Sequence, residues 1–134
     1  MDGFEEVDIR KEIVKQYFNS WIEKDINISE RYFSQDIKYM ECYGPEYNGK
    51  EQVIRWFNDW QKENNVLQWN VKQFFNQNSV VIVEWFFEYE AGIHKHSFDG
   101  VSIIEFDENN EIIMVKEFQS KSERYFPYNG TSAP

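Results

Sequence analysis

From residue 80 to 106 the chain is written in twos. Val81, Val83, Trp85, Phe87 and Tyr89 hold every second position of one run, and His94, His96, Phe98, Gly100, Ser102, Ile104 and Phe106 those of the next. Successive side chains of a strand point to opposite sides, so this period belongs to extended chain with one buried face, and it excludes an all-helical fold. The breaks agree with the period. Residues 76–79 separate an earlier run, 67–75, from 80–89; Ala91-Gly92 reverses the chain again; Asp107-Glu108-Asn109-Asn110 leads into 111–119. Short breaks rich in Asn, Asp and Gly read as hairpin turns, so the four runs pair antiparallel.

The first half has a different rhythm. Ile9, Ile13, Val14, Tyr17, Phe18, Trp21 and Ile22 fall at helical spacing, which predicts a helix over 7–24 with a broad apolar stripe. Ser29 is expected to cap a short helical turn over 29–33. Over 36–43 the period of two returns, with Ile37, Tyr39, Glu41 and Tyr43 on one face and Lys38, Met40 and Cys42 on the other. Gly44-Pro45 ends that strand, and Asn48, with Glu51 three residues on, is expected to cap a helix that buries Val53, Trp56, Phe57 and Trp60. Helices that precede a block of antiparallel strands argue an α+β domain, with helices packed on one face of a curved sheet.

With 134 residues the chain suits one domain, expected over 1–126, with 127–134 as a mobile tail. Its 24 acidic and 14 basic residues give a net charge of -10, which repels nucleic acid and anionic membrane surfaces. One cysteine, Cys42, allows no internal disulfide, and the acidic start is unlike a secretion signal, so a reducing cytoplasm is the expected compartment. No glycine-rich phosphate loop, nucleophile triad or paired zinc cysteines are present, and no cofactor is expected.

Several landmarks together resemble the SnoaL-like, or nuclear transport factor 2-like, superfamily, which includes ketosteroid isomerases and polyketide cyclases. They are Glu23-Lys24-Asp25, Arg31-Tyr32-Phe33 before Asp36, Asn48-Gly49-Lys50-Glu51 and the hairpin over 106–112. The resemblance spans 11–123 and implies a cone: three N-terminal helices against a strongly curved, mostly antiparallel sheet, a pocket between them and a homodimer. In the ketosteroid isomerase branch a helix tyrosine, an acidic base and a protonated aspartate do the chemistry. The resemblance places the first on Tyr17 and the base on Glu41, while Ser102 stands where that branch has aspartate. A steroid substrate is therefore not implied.

Glu41 among Ile37, Tyr39 and Tyr43 is a candidate general base, because a carboxylate desolvated by aromatic rings has a raised pKa. The competing reading pairs it with Arg55. Glu117 alternates with Ile113, Val115 and Gln119 on the face that the resemblance turns inward, so two carboxyls can share one cavity; the competing reading pairs it with Lys72 or Lys116. Tyr17 and Ser102 are candidate donors to a developing oxyanion, with Glu117 or His96 returning the proton. Tyr39, Trp60, Trp85, His96, Phe98 and Gln119 are expected to line the pocket, whose ligand would be a flat, largely apolar molecule with a polar handle. His94 and His96 have the spacing to grip one metal ion, but solvent-side histidines share it, and no metal is assigned. Cys42 is expected to point away from Glu41 as a small buried hydrophobe. Proton abstraction next to a carbonyl, ligand binding without turnover, and a dimeric scaffold all remain open. On the opposite sheet face, Ile82, Phe86, Val101, Ile103, Met114 and Phe118 need cover, and a homodimer with Glu84, Glu88 and Glu90 toward its rim would supply it.

Overall fold

The computed structural model describes the backbone of residues 3–130 and side chains from residue 6 onward. In order come α1 (Gly3–Glu23), α2 (Asn27–Tyr32), β1 (Phe33–Met40), β2 (Glu46–Asn48), α3 (Lys50–Gln61), β3 (Asn64–Gln77), β4 (Val80–Ala91), β5 (His94–Phe106) and β6 (Ile112–Ser120). The strands form one curved six-stranded sheet ordered β2-β1-β6-β5-β4-β3. Four hairpin-type pairings are antiparallel, whereas β1 lies parallel to β6. That one parallel contact carries the site. It sets Tyr39 opposite Val115, so a residue from the first half of the chain meets the end of the last strand.

The α+β class is as expected, but only α1 and α2 precede the sheet, because α3 follows two strands. Strand β2 was not foreseen; three residues behind a Gly-Pro turn are too few to show alternation. In α1, Ile13, Val14, Tyr17, Phe18 and Trp21 are buried as the spacing demands, while Ile9 sits at the stripe's edge, 37% exposed. Arg10, 7% exposed, reaches from the same helix to the β5–β6 turn, donating from Nε to Asn110 Oδ1 at 2.9 Å and from Nη2 to the Asp107 carbonyl at 3.3 Å. Two caps differ from expectation. Ser29 lies inside α2 with its hydroxyl buried and without a hydrogen-bond partner among the described residues, and Asp25 Oδ1 instead accepts the Asn27 N–H at 3.0 Å. Asn48 belongs to β2, and Gly49, at φ 91°, is the residue before α3; Gln52 Oε1 accepts the Asn48 N–H at 2.8 Å. A side chain at Gly49 would be strained in that left-handed region.

Of the expected tail, 131–134 lies outside the described residues, and 127–130 has no helix or strand. No helix among the described residues is long and apolar enough to cross a membrane.

Candidate functional site

Between the helices and the inner sheet face is a half-open cavity with a volume of about 70 Å³. A single water needs ~10–15 Å³ of such space, so the deep part holds about five waters or a group of similar size. Sites that engulf drug-sized molecules run to ~300 Å³ or more, so a small molecule, or one part of a larger one, is what this cavity takes. Aromatic packing has taken the room. All five tryptophans of the chain line the cavity, Trp21 from α1, Trp56 and Trp60 from α3, Trp69 from β3 and Trp85 from β4. Phe87, Tyr89 and Phe98 complete the sheet side.

Glu41 and Glu117 both line this space, as does Tyr39. Glu117 is held by a chain of hydroxyls. Tyr17 donates to the Tyr39 hydroxyl at 2.8 Å, and Tyr39 donates to Glu117 Oε2 at 2.8 Å. Ser102, opposite Glu117 across the β5–β6 ladder, donates to the same Oε2 at 3.4 Å and accepts the Trp85 indole N–H at 2.9 Å. Both donors end on Oε2, so the proton of the neutral acid belongs on Oε1, which has no protein donor among the described residues.

Desolvation pushes the Glu117 carboxyl up to about 8; the Glu41 charge adds to the rise, and the Tyr39 and Ser102 hydrogen bonds offset part of it. Desolvation also raises Glu41 above the usual carboxylate range, opposed by the Tyr47 hydroxyl that donates to Oε1 at 2.7 Å. Burial, with the charge of Glu117 beside them, raises Tyr17 and Tyr39 well above the ordinary phenol value, so both stay protonated and keep donating. Neither carboxyl makes an ion pair among the described residues. Arg55 pairs with Asp59 at 4.0 Å, Lys72 with Asp99 at 3.0 Å, and Lys116 lies over the Phe118 ring.

Tyr39, Trp60, Trp85 and Phe98 line the cavity, as the sequence suggested. Tyr17 and Ser102 stand behind its wall, fully buried, with their hydroxyl protons directed at Tyr39 and Glu117. His96 is not in the lining: it is exposed and stacks on Tyr89 with ring centroids 5.1 Å apart. Gln119 is also outside, in a larger and more open depression of about 530 Å³ that it lines with Ser97, Phe98 and Ser120. Cys42, expected on the opposite face, does line the cavity. Strand β1 stops at Met40, and a turn closed by the Glu41 N–H to the Pro45 carbonyl at 2.9 Å breaks the alternation, turning Glu41, Cys42 and Tyr43 all toward the opening. Burial near Glu117 and Glu41 raises the Cys42 thiol to about 12, so it is not a thiolate at neutral pH. Tyr47, which holds Glu41 and stacks on Trp56 at 4.7 Å, was hidden in the unforeseen β2. No three His, Cys, Asp or Glu side chains among the described residues gather as a metal site.

Solved structures share this arrangement of chain. A protein from Catenulispora acidiphila with a ketosteroid isomerase-like fold, in complex with trimethylamine, is 18% identical, with a TM-score of 0.73 over 81% of this chain and 85% of its own. A candidate SnoaL-like polyketide cyclase from Shewanella denitrificans is 18% identical, with a TM-score of 0.72 over 84% and 90%. An LEH-like epoxide hydrolase from M. tuberculosis is 13% identical, with a TM-score of 0.74 over 81% and 76%. At these identities the likeness is one of fold. No curated protein matches by sequence. The SnoaL-like domain family matches residues 14–114, and the chain belongs to that family.

Proposed function

We propose that this SnoaL-like domain binds a small, largely apolar molecule with a polar handle in its aromatic cavity and moves a proton on it next to a carbonyl, without a cofactor. The observation that carries this reading is a carboxyl, Glu117, pushed up to about 8 and placed in one cavity with a second carboxyl, Glu41. Two acids whose protons leave at different pH can divide the work of acid and base. Ionised Glu41 takes the proton from carbon. Glu117, neutral at pH 7, presents its Oε1 proton to the carbonyl oxygen as charge develops there.

This division explains why Ser102 is tolerated at the position where the ketosteroid isomerases have aspartate. In this reading Glu117, opposite Ser102 on the neighbouring strand, serves as the neutral acid, and Ser102 with Tyr39 orients it. Tyr17 therefore acts through Tyr39 and not on the ligand. A small amine, the ligand of the Catenulispora relative, is of a size that the deep cavity admits. Binding without turnover is the second reading, and the same pair of acids would then serve recognition alone. The acidic, lone-cysteine composition suits a cytoplasmic setting.

Deuterium uptake from D2O at the α-carbon of butanone, followed by NMR, tests the proposal. We expect protein-dependent exchange that falls at least ~100-fold in Glu41→Gln and by a similar factor in Glu117→Gln, the range of positioned acid–base groups. Exchange that survives both substitutions unchanged would remove the catalytic reading and leave binding.

A further inference from the structure

The wall of the cavity has an unusual make-up. Of its 13 lining residues ten are aromatic, two are glutamates and one is Cys42; none is Leu, Ile, Val or Met, and none is Lys, Arg or His. Aliphatic side chains are not scarce nearby, since Val14, Ile37, Val53, Val83, Ile104 and Val115 are all buried in the adjoining core. They are absent from this one surface. A neutral apolar guest is served as well by aliphatic walls as by rings, because burial of apolar area does not distinguish them. An anionic guest needs a basic group, and the lining has none.

We propose that the ligand of this cavity carries a small organic cation, a methylated ammonium group, which rests on the faces of the tryptophan rings while Glu41 and Glu117 supply the counter-charge. The proposal rests on the reading of the cavity as a ligand site and gives the ligand's handle its chemical class; it does not depend on turnover. Aromatic faces carry negative potential and hold quaternary ammonium groups, tryptophan best of all. The rings here stand as walls. Trp60 meets Trp21 at 5.4 Å and 79°, and Trp69 meets Trp85 at 5.6 Å and 86°, edge-to-face contacts that brace the wall, while Trp56 and Trp60 stay partly exposed along it. The cavity of about 70 Å³ opens at its mouth, so a methylated ammonium head can enter and a longer substituent can leave.

Electrostatics points the same way. The basic residues that sequence proximity offered to the two acids are engaged elsewhere: Arg55 with Asp59, and Lys72 with Asp99. The groups that face Glu117 are the hydroxyls of Tyr17 on α1, Tyr39 on β1 and Ser102 on β5, the Cys42 thiol and the Glu41 carboxyl; none is a cation. The net charge of -10 draws cations toward the protein from a distance. A bound cation favours the ionised form of the Glu117 carboxyl, so cation and proton compete there and binding moves its titration downward. Affinity must accordingly rise as pH climbs toward about 8 and level off above it.

Choline and its neutral carbon isostere, 3,3-dimethylbutan-1-ol, separate charge from shape. Titrations into the protein, read on the indole N–H signals at about pH 7 and about pH 9 and constant ionic strength, should show choline binding at least roughly tenfold tighter than the alcohol, and tighter at the higher pH. Glu117→Gln and Glu41→Gln should each weaken choline and leave the alcohol unaffected, with the dispersion of the free indole signals as the check on folding. Tetraethylammonium, too large for the deep space, should bind less well than tetramethylammonium. The proposal is overturned if the alcohol matches choline, if neither binds, or if both glutamine variants hold choline like the parent. Should choline fail while butanone exchange persists, the cation is wrong and the acid–base reading stands; choline binding without exchange gives the reverse.

Discussion

Glu117 holds its proton at a pH where an exposed glutamate has lost it, and burial, not a partner, is the main cause. Stability follows with a definite sign. Below about pH 4.5 folded and unfolded chains both carry the proton, and the group costs nothing. As pH rises toward about 8 the unfolded chain releases the proton and the folded chain retains it, so stability falls across that window and levels off beyond it. At ~1.4 kcal/mol per pH unit the ceiling on the loss is about 5 kcal/mol, and water in the cavity reduces it. Glu117→Gln, which keeps the shape and removes the titration, should be more stable than the parent at about pH 9 and gain little at about pH 5, as measured by urea unfolding at both. Equal effects at the two pH values would mean that Glu117 titrates like a surface acid. At this scale the sequence was legible where alternation held. Glu117 falls in step with Val115 on β6 and lines the cavity, whereas Cys42 faces it against the alternation because β1 ends two residues before it. The partnership of Tyr47 with Glu41 had no signal in the sequence, since it depends on how a turn of four residues folds back.

The strands work as elements because small residues make room for large ones. Gly100 lies opposite Trp85 in the β4–β5 ladder, and a Cβ there would fall on the Trp85 ring and within 2.6 Å of the Phe118 carbonyl. This glycine is not needed for its backbone freedom. It lets the indole lie across β5, and from there Nε1 reaches Ser102 two residues along. Gly100→Ala should therefore cost ~1–3 kcal/mol by overpacking, and displace the hydrogen-bonded chain from Trp85 through Ser102 to Glu117. Urea unfolding measures the first effect and the carboxyl titration of Glu117 by NMR the second; an alanine variant with unchanged stability would show that Trp85 does not occupy that space. A period of two reports which residues share a face, and it marks β4 to β6 nearly in full but only 67–75 of β3, Asn64–Gln77. It cannot report that one glycine on that face is a socket, nor that three residues after Gly44-Pro45 pair with Lys38 to Met40 as a strand. Those are facts about neighbours that the chain reaches only after folding.

The sheet has a second side, and at the scale of the whole molecule it is unfinished. Phe75, Ile82 and Ile103 stand in one row across β3, β4 and β5, and Glu84, Val101 and Phe118 in the next, across β4, β5 and β6. Phe75 is 49% and Phe118 48% exposed, which is costly for large rings on an open antiparallel surface. A second copy of the chain offers the same rows in reverse, and a two-fold axis through the sheet would lay ring against ring. Such an interface needs ~800 Å² from each partner, about a tenth of the 8474 Å² that one chain exposes. Glu84 in this surface and Glu88 and Glu90 farther along β4 would set like charges across such a pair, offset in part by Lys116 opposite Ile103, so added salt should tighten it, opposite to its effect on an assembly joined by ion pairs. Sedimentation at micromolar concentration should then find a species of twice the 16.3 kDa chain, growing with ionic strength, and Phe118→Glu should return it to one chain with its near-ultraviolet spectrum intact. A stable monomer under these conditions would leave the apolar rows to some other partner. The cavity would be unaffected, because it opens on the other face of the sheet.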